Sequence, residues 1–217
     1  MQVSWRQRLI RYAHAKDQSK ALVRTRWDFP KTVLGQKINQ SKTMSYSFPW
    51  LYKIRGTVLQ NEILAPYTSI QIGGPADVLI FPEDIHDLQT ILKHKGSQPL
   101  FILGEGTNLL IGDQGIRGVV VSLKNCFKEI KRPLFFRKKD ENRRAVIKAG
   151  AGVKMSYLAK NAASYSLTGI EHLVGIPGSL GGAIVMNAGA EGTETGQVLR
   201  NLTQITLDGE IQTLKRE

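Results

Sequence analysis

Residues 175–190 constrain the fold of this chain more than any other stretch, because they are rich in glycine yet apolar. They contain five glycines, one proline and no charged residue. Glycine tolerates positive φ and close backbone approach, while Pro177 stops a helix that enters from its N-terminal side. A helix can restart after Ser179, a favourable N-cap. The stretch therefore predicts either a tight turn into a buried helix or a loop of free N–H groups that suits an anion or a flat polar ligand.

The positive charge of the chain is concentrated near its start. The net charge is +12, and residues 1–43 carry ten Lys and Arg against two Asp, which is eight of those charges. The net charge of the rest of the chain is ordinary, which argues against nucleic-acid binding by the globular part of the protein. Residues 1–43 have no apolar core of a secretory signal. They fit a disordered basic arm, a transit-like leader, or translated sequence upstream of a start at Met44, and the Met-Ser-Tyr-Ser at Met44 favours the third.

The apolar content and the single cysteine limit the class of protein. Hydrophobic residues make up 41% of the chain, which is enough for a buried core. The length of 217 residues allows one large domain or two small ones. No apolar run is long enough to span a bilayer, so no membrane partner is expected. The single cysteine, Cys126, excludes an internal disulfide and fits a reducing compartment. No histidine lies near Cys126 in sequence, so we interpret it as a bystander rather than a nucleophile.

Hydrophobic patterning predicts a β-α-β unit in the first half of the chain. Residues 44–67 suggest a short helical lead-in with Trp50, Leu51 and Ile54 on one side, and residues 67–76 alternate in polarity before a turn. Continuous apolar runs predict buried strands at 77–81 and 100–103, joined by a helix that Asp84 caps and Gly96 closes. A β-α-β unit makes its two strands parallel neighbours.

The second half has a mixed pattern, so the expected fold class is α+β. After a short strand at 119–121, the pattern predicts a basic hairpin, 127–137 and 144–149, with a polar turn at 138–143. Its charges are typical of a solvated edge. An amphipathic helix is expected to run from Met155 to Gly169 with its apolar side formed by Met155, Leu158, Ala159, Ala162 and Ala163. A last hairpin, 198–214, turns at Asp208-Gly209.

A second glycine-containing loop follows the strand 100–103. The sequence Gly104-Glu-Gly-Thr-Asn108 lets the main chain approach a ligand closely, and Thr107 and Asn108 offer hydrogen bonds that suit a pyrophosphate. It is not a Rossmann fingerprint, because Leu109 stands where the third glycine belongs. It is not a Walker A loop, since no Gly-Lys-Ser/Thr follows. Taken alone, the loop is equally consistent with a plain β-turn.

The sequence shows no metal-binding or hydrolase pattern. His86 and His94 lie eight residues apart, beyond the spacing that brings two helical ligands together. His172 precedes the glycine stretch, so it either lines a ligand pocket or is structural, and the structural role is favoured. No Gly-x-Ser-x-Gly elbow is present.

Three glycine-rich segments together are more informative than any one. They are 72–76, 104–108 and 175–190, and each follows or opens a regular element. A dinucleotide needs several loops that converge, because backbone N–H groups must wrap its phosphates. The combination therefore favours a dinucleotide ligand.

These segments resemble a known family. Thr68-Ser-Ile-Gln-Ile-Gly-Gly-Pro-Ala, Leu103-Gly-Glu-Gly-Thr-Asn-Leu-Leu, Gly150-Ala-Gly and Gly175-Ile-Pro-Gly-Ser-Leu-Gly-Gly-Ala with Met-Asn-Ala-Gly-Ala occur in order over residues 60–215. The pattern is similar to that of UDP-N-acetylenolpyruvoylglucosamine reductase, a flavoenzyme of peptidoglycan synthesis. The resemblance implies the two-lobed FAD-binding fold of the vanillyl-alcohol-oxidase type, with a first lobe at 44–122 and a second at 123–217.

The resemblance also implies which residues bind the cofactor. FAD would lie between the lobes, with NADPH as co-substrate and a sugar nucleotide as substrate. The pyrophosphate would be held by Gly104, Gly106, Thr107, Asn108 and Leu109. The flavin and its phosphates would lie along Gly175, Ile176, Pro177, Gly178, Ser179, Gly181 and Gly182. The pocket would be completed by Thr68, Gly73, Gly74, Asn187, Ala188 and Gly189.

The chain departs from the family at its catalytic motifs. The family places its catalytic arginine in Tyr-Arg-x-Ser, its proton-donor serine in Gly-Ser-x-Phe-Lys-Asn, and a glutamate later still. None of these motifs occurs before Glu217, so no catalytic residue is assigned. The resemblance therefore predicts a form that holds the cofactor lobes and lacks the substrate domain, with impaired enolpyruvyl reduction.

The expectation is thus a cytoplasmic, FAD-dependent and NADPH-using reductase of cell-wall synthesis with an incomplete active site. Two alternatives stay open. One is an FAD-binding subunit of another oxidoreductase, completed by a partner chain. The other is a non-catalytic nucleotide- or nucleic-acid-binding protein that uses its basic leader. The sequence does not determine the oligomeric state.

Overall fold

A computed structural model describes residues 48–137 and 143–216 of the chain, so the predicted leader 1–43 and the turn 138–142 lie outside the described residues. The strands are β1 Thr57–Ile63, β2 Pro75–Phe81, β3 Leu100–Leu103, β4 Ile116–Ser122, β5 Leu134–Arg137, β6 Arg143–Val146, β7 Gly189–Ala190, β8 Thr193–Glu194, β9 Asn201–Ile205 and β10 Ile211–Lys215. The helices are α1 Ile85–His94, α2 Met155–Ser164, α3 Leu180–Met186 and α4 Thr195–Val198, with 3-10 helices at Leu51–Lys53, Ala65–Tyr67 and Glu171–Gly175.

The main sheet has four strands in the order β1-β2-β4-β3. β2 and β3 are both parallel to β4, and β1 is antiparallel to β2. The prediction that the strands at 77–81 and 100–103 are neighbours is therefore wrong, because β4 lies between them. β4 takes that position because its Val119, Val120 and Val121 side chains, at most 1% exposed, can be covered on both faces of the sheet.

The predicted helical lead-in at 44–67 is also wrong. Within 48–67 only the short 3-10 turns Leu51–Lys53 and Ala65–Tyr67 are helical, and residues 57–63 form β1, which pairs with β2. A strand at 57–63 is stabilised by pairing with β2, whereas a short isolated helix is only marginally stable in water. The predicted apolar side of this segment is nevertheless confirmed, since Trp50 and Ile54 are buried in a core cluster.

Residues 68–74 form a loop rather than an alternating strand. The buried Thr68 side chain closes this loop on itself. Its Oγ1 lies 3.1 Å from Ala65 O and 3.0 Å from Ile72 O, and it accepts a hydrogen bond from Ile72 N at 3.2 Å. Such local side-chain bonds compete with strand pairing.

Helix α1 begins and packs as its sequence predicts. The Asp84 side chain caps it by accepting hydrogen bonds from the N–H groups of His86 and Asp87. Leu88 and Ile91 are buried against β2 and β4 in the core cluster. The helix ends before Gly96, whose φ is +57°.

A buried carboxylate joins the start of β1 to α1. Asp87 is 1% exposed, and its oxygens accept hydrogen bonds from the backbone N–H groups of Arg55, Gly56 and Glu83 at 3.1, 2.9 and 2.9 Å. Burial alone would raise the pKa of Asp87, but these donors outweigh it and hold the pKa below its usual range. The charged form of Asp87 therefore stabilises this corner of the fold.

The remaining elements largely follow the pattern. The hairpins β5–β6 and β9–β10 are confirmed. Helix α2 begins at Met155 as predicted but ends at Ser164 rather than at Gly169, and Ala163 is exposed. It ends early because Ser166 takes a φ of +55° and Leu167 N bonds back to Ala162 O.

Replacing Asp87 with Ala is expected to destabilise the fold by about 3 kcal/mol or more, because three backbone donors lose their acceptor. Urea unfolding measures the loss. Glu83→Ala is the matched control at the same corner, since the Glu83 side chain is exposed, and its cost should stay below about 1 kcal/mol. The Asp87 contribution is present above the usual Asp pKa of about 4 and is lost as pH falls through the lowered folded value. Equal acid sensitivity of Asp87→Ala and the parent chain would contradict this account.

Candidate functional site

Two of the predicted glycine segments meet in the structure. The Thr107 hydroxyl donates a hydrogen bond to Pro177 O at 3.3 Å. A Cβ added at Gly178 would lie 3.1 Å from Thr107 Oγ1, and one added at Gly104 would lie 3.4 Å from Ser179 Oγ. We call residues 104–108 and 175–182 the glycine-loop site.

A further loop, 150–152, supports this site. Ala151 O accepts a hydrogen bond from Gly181 N at 2.9 Å, and Val153 O accepts one from Leu180 N at 2.7 Å. A Cβ at Gly181 would lie 3.0 Å from Ala151 Cβ, so a larger residue there would displace the loop. The sequence identifies 150–152 only as one motif of the family resemblance, and no local pattern indicates that the carbonyls of Ala151 and Val153 bind the start of α3.

The N-terminus of α3 has no free donors to offer. Leu180 N and Gly181 N are bonded to loop 150–153, Gly182 N lies 3.5 Å from Ser179 Oγ, and Ala183 N donates to Ser179 O at 2.9 Å. The predicted Ser179 cap is confirmed. The free N–H groups that the sequence suggested for this helix start are instead bonded within the protein.

Loop 104–108 carries a run of backbone donors that no protein group occupies. None of its backbone N–H groups has a protein acceptor within the ranges 48–137 and 143–216. Gly106 has a φ of +67°, and its Cβ would lie 2.1 Å from Tyr67 O, so the loop needs glycine there. Thr107 and Asn108 are exposed beside these N–H groups. The loop therefore presents a set of donors that an anionic ligand requires.

The residues from 68 to 74 support the loop through backbone contacts. Ser69 N donates to Gly106 O at 3.0 Å, and Gly74 N donates to Gly112 O at 3.0 Å. A Cβ at Gly74 would lie 2.0 Å from Asp113 O, and Gly73 O accepts from Ala65 N. Ser69 thus contacts loop 104–108 directly, whereas Thr68, Gly73 and Gly74 hold together the neighbouring segments 64–74 and 112–115.

Two apolar residues fix the ends of the glycine loops. Leu109 packs against the core cluster that contains Leu64 and Leu103. Ile176 packs against the cluster of Met155, Leu173 and Ala183. Both loops are therefore attached to buried cores at one end.

The segment 187–190 adjoins the same region. Asn187 ends α3 with a φ of 47°, and Ala188 packs against the cluster that also receives Ile176. β7 lies against the 3-10 helix Glu171–Gly175, which leads directly into Ile176.

Of the other predicted candidates, His172 is half-buried, and its Nε2 lacks a hydrogen-bond partner among the described residues.

Cys126 is unsuited to nucleophilic chemistry. Burial, together with the charges of Asp84 and Asp87, raises the pKa of its thiol to about 11. The side chain is 5% exposed.

No cluster of three metal-ligating side chains occurs in the part of the chain that the structure describes. None of the described helices is long and apolar enough to cross a bilayer.

Cys126 is expected to resist alkylation in the folded chain at about pH 8, because little thiolate is present and the sulfur is covered. Iodoacetamide labelling followed by mass spectrometry checks this. The same thiol should react readily in denaturant. Rapid labelling of the native chain would contradict the buried position.

The chain is similar in sequence and in structure to known flavoproteins. Residues 76–215 match a family described as the FAD binding domain. The UDP-N-acetylenolpyruvoylglucosamine reductase of Syntrophomonas wolfei is 42% identical over 159 residues, covering 72% of this chain and 50% of that protein. The enzyme of the same name from Listeria innocua is 43% identical over 158 residues, covering 72% and 49%. The chain spans about half the length of the curated relatives it matches.

Solved structures agree with the predicted fold class. The UDP-N-acetylenolpyruvylglucosamine reductase of Thermus caldophilus has a TM-score of 0.55 and 27% identity, covering 75% of this chain and 53% of that chain. A VAO-type flavoprotein of Myceliophthora thermophila has a TM-score of 0.51 and 19% identity, covering 74% and 31%. The α+β fold of the vanillyl-alcohol-oxidase type and the resemblance read from the motifs are both confirmed.

Proposed function

The chain belongs to the FAD binding domain family, and we propose on that premise that it binds FAD at the glycine-loop site. The observation that carries the proposal is the set of backbone N–H groups in loop 104–108 that have no acceptor among the described residues. A pyrophosphate supplies several anionic oxygens, and it needs such donors at close range. The glycines let the backbone approach it without steric hindrance.

The structure suggests a division of roles among the candidate residues. Gly104, Gly106, Thr107 and Asn108 would hold the pyrophosphate. Gly175, Pro177 and Gly178 would border the flavin, while Ser179, Gly181 and Gly182 keep the start of α3 against loop 150–153. The supporting residues would be Thr68, Gly73, Gly74, Leu109, Ile176, Asn187, Ala188 and Gly189. A first lobe at 44–122 and a second at 123–217 remain a prediction.

The proposed reaction follows from the relatives. When bound, FAD would supply two-electron chemistry, taking a hydride from NADPH and giving it to the enolpyruvyl double bond of UDP-N-acetylglucosamine enolpyruvate. The product would be UDP-N-acetylmuramate, for peptidoglycan synthesis in the cytoplasm. The protein would bind the cofactor, orient it and cover one of its sides.

The glycine-loop site offers few groups that could donate the proton needed for reduction of the enolpyruvyl double bond. Reduction of the double bond also needs a positioned proton donor. The glycine-loop site contributes backbone groups, the hydroxyls of Thr107 and Ser179, the amide of Asn108 and the carboxyl group of Glu105, which no hydrogen bond or ion pair holds in place among the described residues. The Thr107 hydroxyl donates to Pro177 O, while Ser179 Oγ lies near Gly182 N. We therefore expect this chain alone to bind FAD but to reduce the enolpyruvyl sugar nucleotide slowly.

Gly178→Ala is expected to weaken FAD binding at least about tenfold, because Gly178 has a φ of +118° and its Cβ would press on Thr107. Flavin fluorescence titration measures the Kd. Gly169→Ala is the matched control: its φ is +104°, but nothing lies within 4 Å of the added Cβ. The control carries the same backbone strain and should bind FAD as the parent chain does. Equal weakening in both variants would remove Gly178 from the site.

NADPH oxidation with the enolpyruvyl sugar nucleotide tests the activity of the flavin-loaded chain. We expect turnover at least about a hundredfold below the 10 s⁻¹ or so that is typical of enzymes, since no acid at the glycine-loop site is held in position by the described residues. Turnover in the ordinary range would contradict the proposed lack of a proton donor. Absence of flavin binding would contradict the function itself.

A further inference from the structure

The segment 187–190 is bonded to Glu194 and Thr195, two residues that the sequence patterns did not single out. Asn187 Nδ2 donates a hydrogen bond to Glu194 Oε2 at 2.5 Å. Asn187 Oδ1 accepts one from Gly196 N at 2.9 Å. Asn187 thus joins the end of α3 to β8 and to the start of α4. We call Asn187, Glu194, Thr195 and Gly196 the α3–α4 clasp.

Thr195 holds the next residue of the segment. It is 2% exposed, and both its Oγ1 and its backbone N donate to Ala188 O, at 2.6 and 2.9 Å. A single carbonyl is therefore fixed by two donors from one residue. A buried hydroxyl with a satisfied hydrogen bond is costly to remove, because its partner is left without that donor.

The hairpin β7–β8 adds little stability of its own to the segment. β7 and β8 pair over only two residues each, and their turn has Glu191 and Gly192 at φ of 53° and 79°. Isolated two-stranded hairpins are marginally stable in water. A Cβ at Gly189 would lie 2.5 Å from Thr193 O, so the two strands pack closely only in this arrangement. The position of 188–193 therefore depends on the clasp.

The clasp is well placed to affect the glycine-loop site. β7 lies against the 3-10 helix Glu171–Gly175, and the next residues along the chain include Pro177, whose carbonyl accepts from Thr107. A shift of β7 would reach the wall of the site through this helix, while loop 104–108 stays attached to the main sheet.

We propose that Glu194 and Thr195 are positioning residues for the flavin pocket, which hold segment 187–190 in its binding arrangement through Asn187 and Ala188. The inference rests on the proposed function. Its physical basis is preorganisation: a segment already held in place costs less ordering free energy when the ligand binds. The Glu194 contact is charge-assisted and therefore stronger than a neutral hydrogen bond.

The test compares substitutions that remove each contact with substitutions that keep it. Glu194→Ala and Thr195→Val remove the acceptor and the hydroxyl, whereas Glu194→Gln and Thr195→Ser retain an equivalent group. Glu210→Ala and Thr203→Val are matched controls, since both residues are exposed and lie outside the clasp. Two measurements are made on the full chain: the Kd for FAD, and amide hydrogen exchange of residues 188–193 without FAD.

We expect Glu194→Ala and Thr195→Val to raise the Kd at least about tenfold and to speed exchange at 188–193, with exchange in β1–β4 unchanged. Glu194→Gln and Thr195→Ser should stay within about threefold of the parent Kd. Parent-like Kd values for both removal variants would overturn the inference, and so would faster exchange spread evenly over the chain, which marks general destabilisation. Failure of the parent chain to bind FAD would overturn the proposed function, and it is recognised before any variant is compared.

Discussion

Close backbone contact among three loops is the constraint on which the site depends. Loop 175–182 contacts both loop 104–108 and loop 150–152, and it does so tightly enough that an added Cβ at Gly181 would lie 3.0 Å from Ala151 Cβ. Glycine is needed here for the approach itself and not only for flexibility. These contacts bear on which N–H groups remain for a ligand, because Leu180 N and Gly181 N of α3 bond to loop 150–153, while the N–H groups of 104–108 have no acceptor among the described residues.

Much of this arrangement could be predicted from local chemistry. The caps at Asp84 and Ser179 follow from the residue types that accept hydrogen bonds at helix starts. The last hairpin follows from alternation around Asp208-Gly209. The glycine loops could be recognised from the sequence because several of them occur in a particular order along the chain, and this order is more specific than any single loop. Where a signal lies within a few neighbouring residues, the sequence was therefore a reliable guide.

What the sequence could not provide are interactions between distant segments. The place of β4 between β2 and β3 depends on which strand fits a position covered on both faces. Residues 57–63 form a strand because β2 offers a partner, which no helical pattern reveals. The donors of α3 are occupied because the carbonyls of Ala151 and Val153 reach them from another loop. The roles of Glu194 and Thr195 have the same origin.

The central claim is that loop 104–108, and not the start of α3, supplies the donors for the cofactor. Amide hydrogen exchange with and without FAD tests this residue by residue. Exchange should slow at 104–108 when FAD is added, because free N–H groups gain acceptors. Little change is expected at 180–183, where the N–H groups are already bonded within the protein. New protection confined to 180–183, with none at 104–108, would contradict this account of the site.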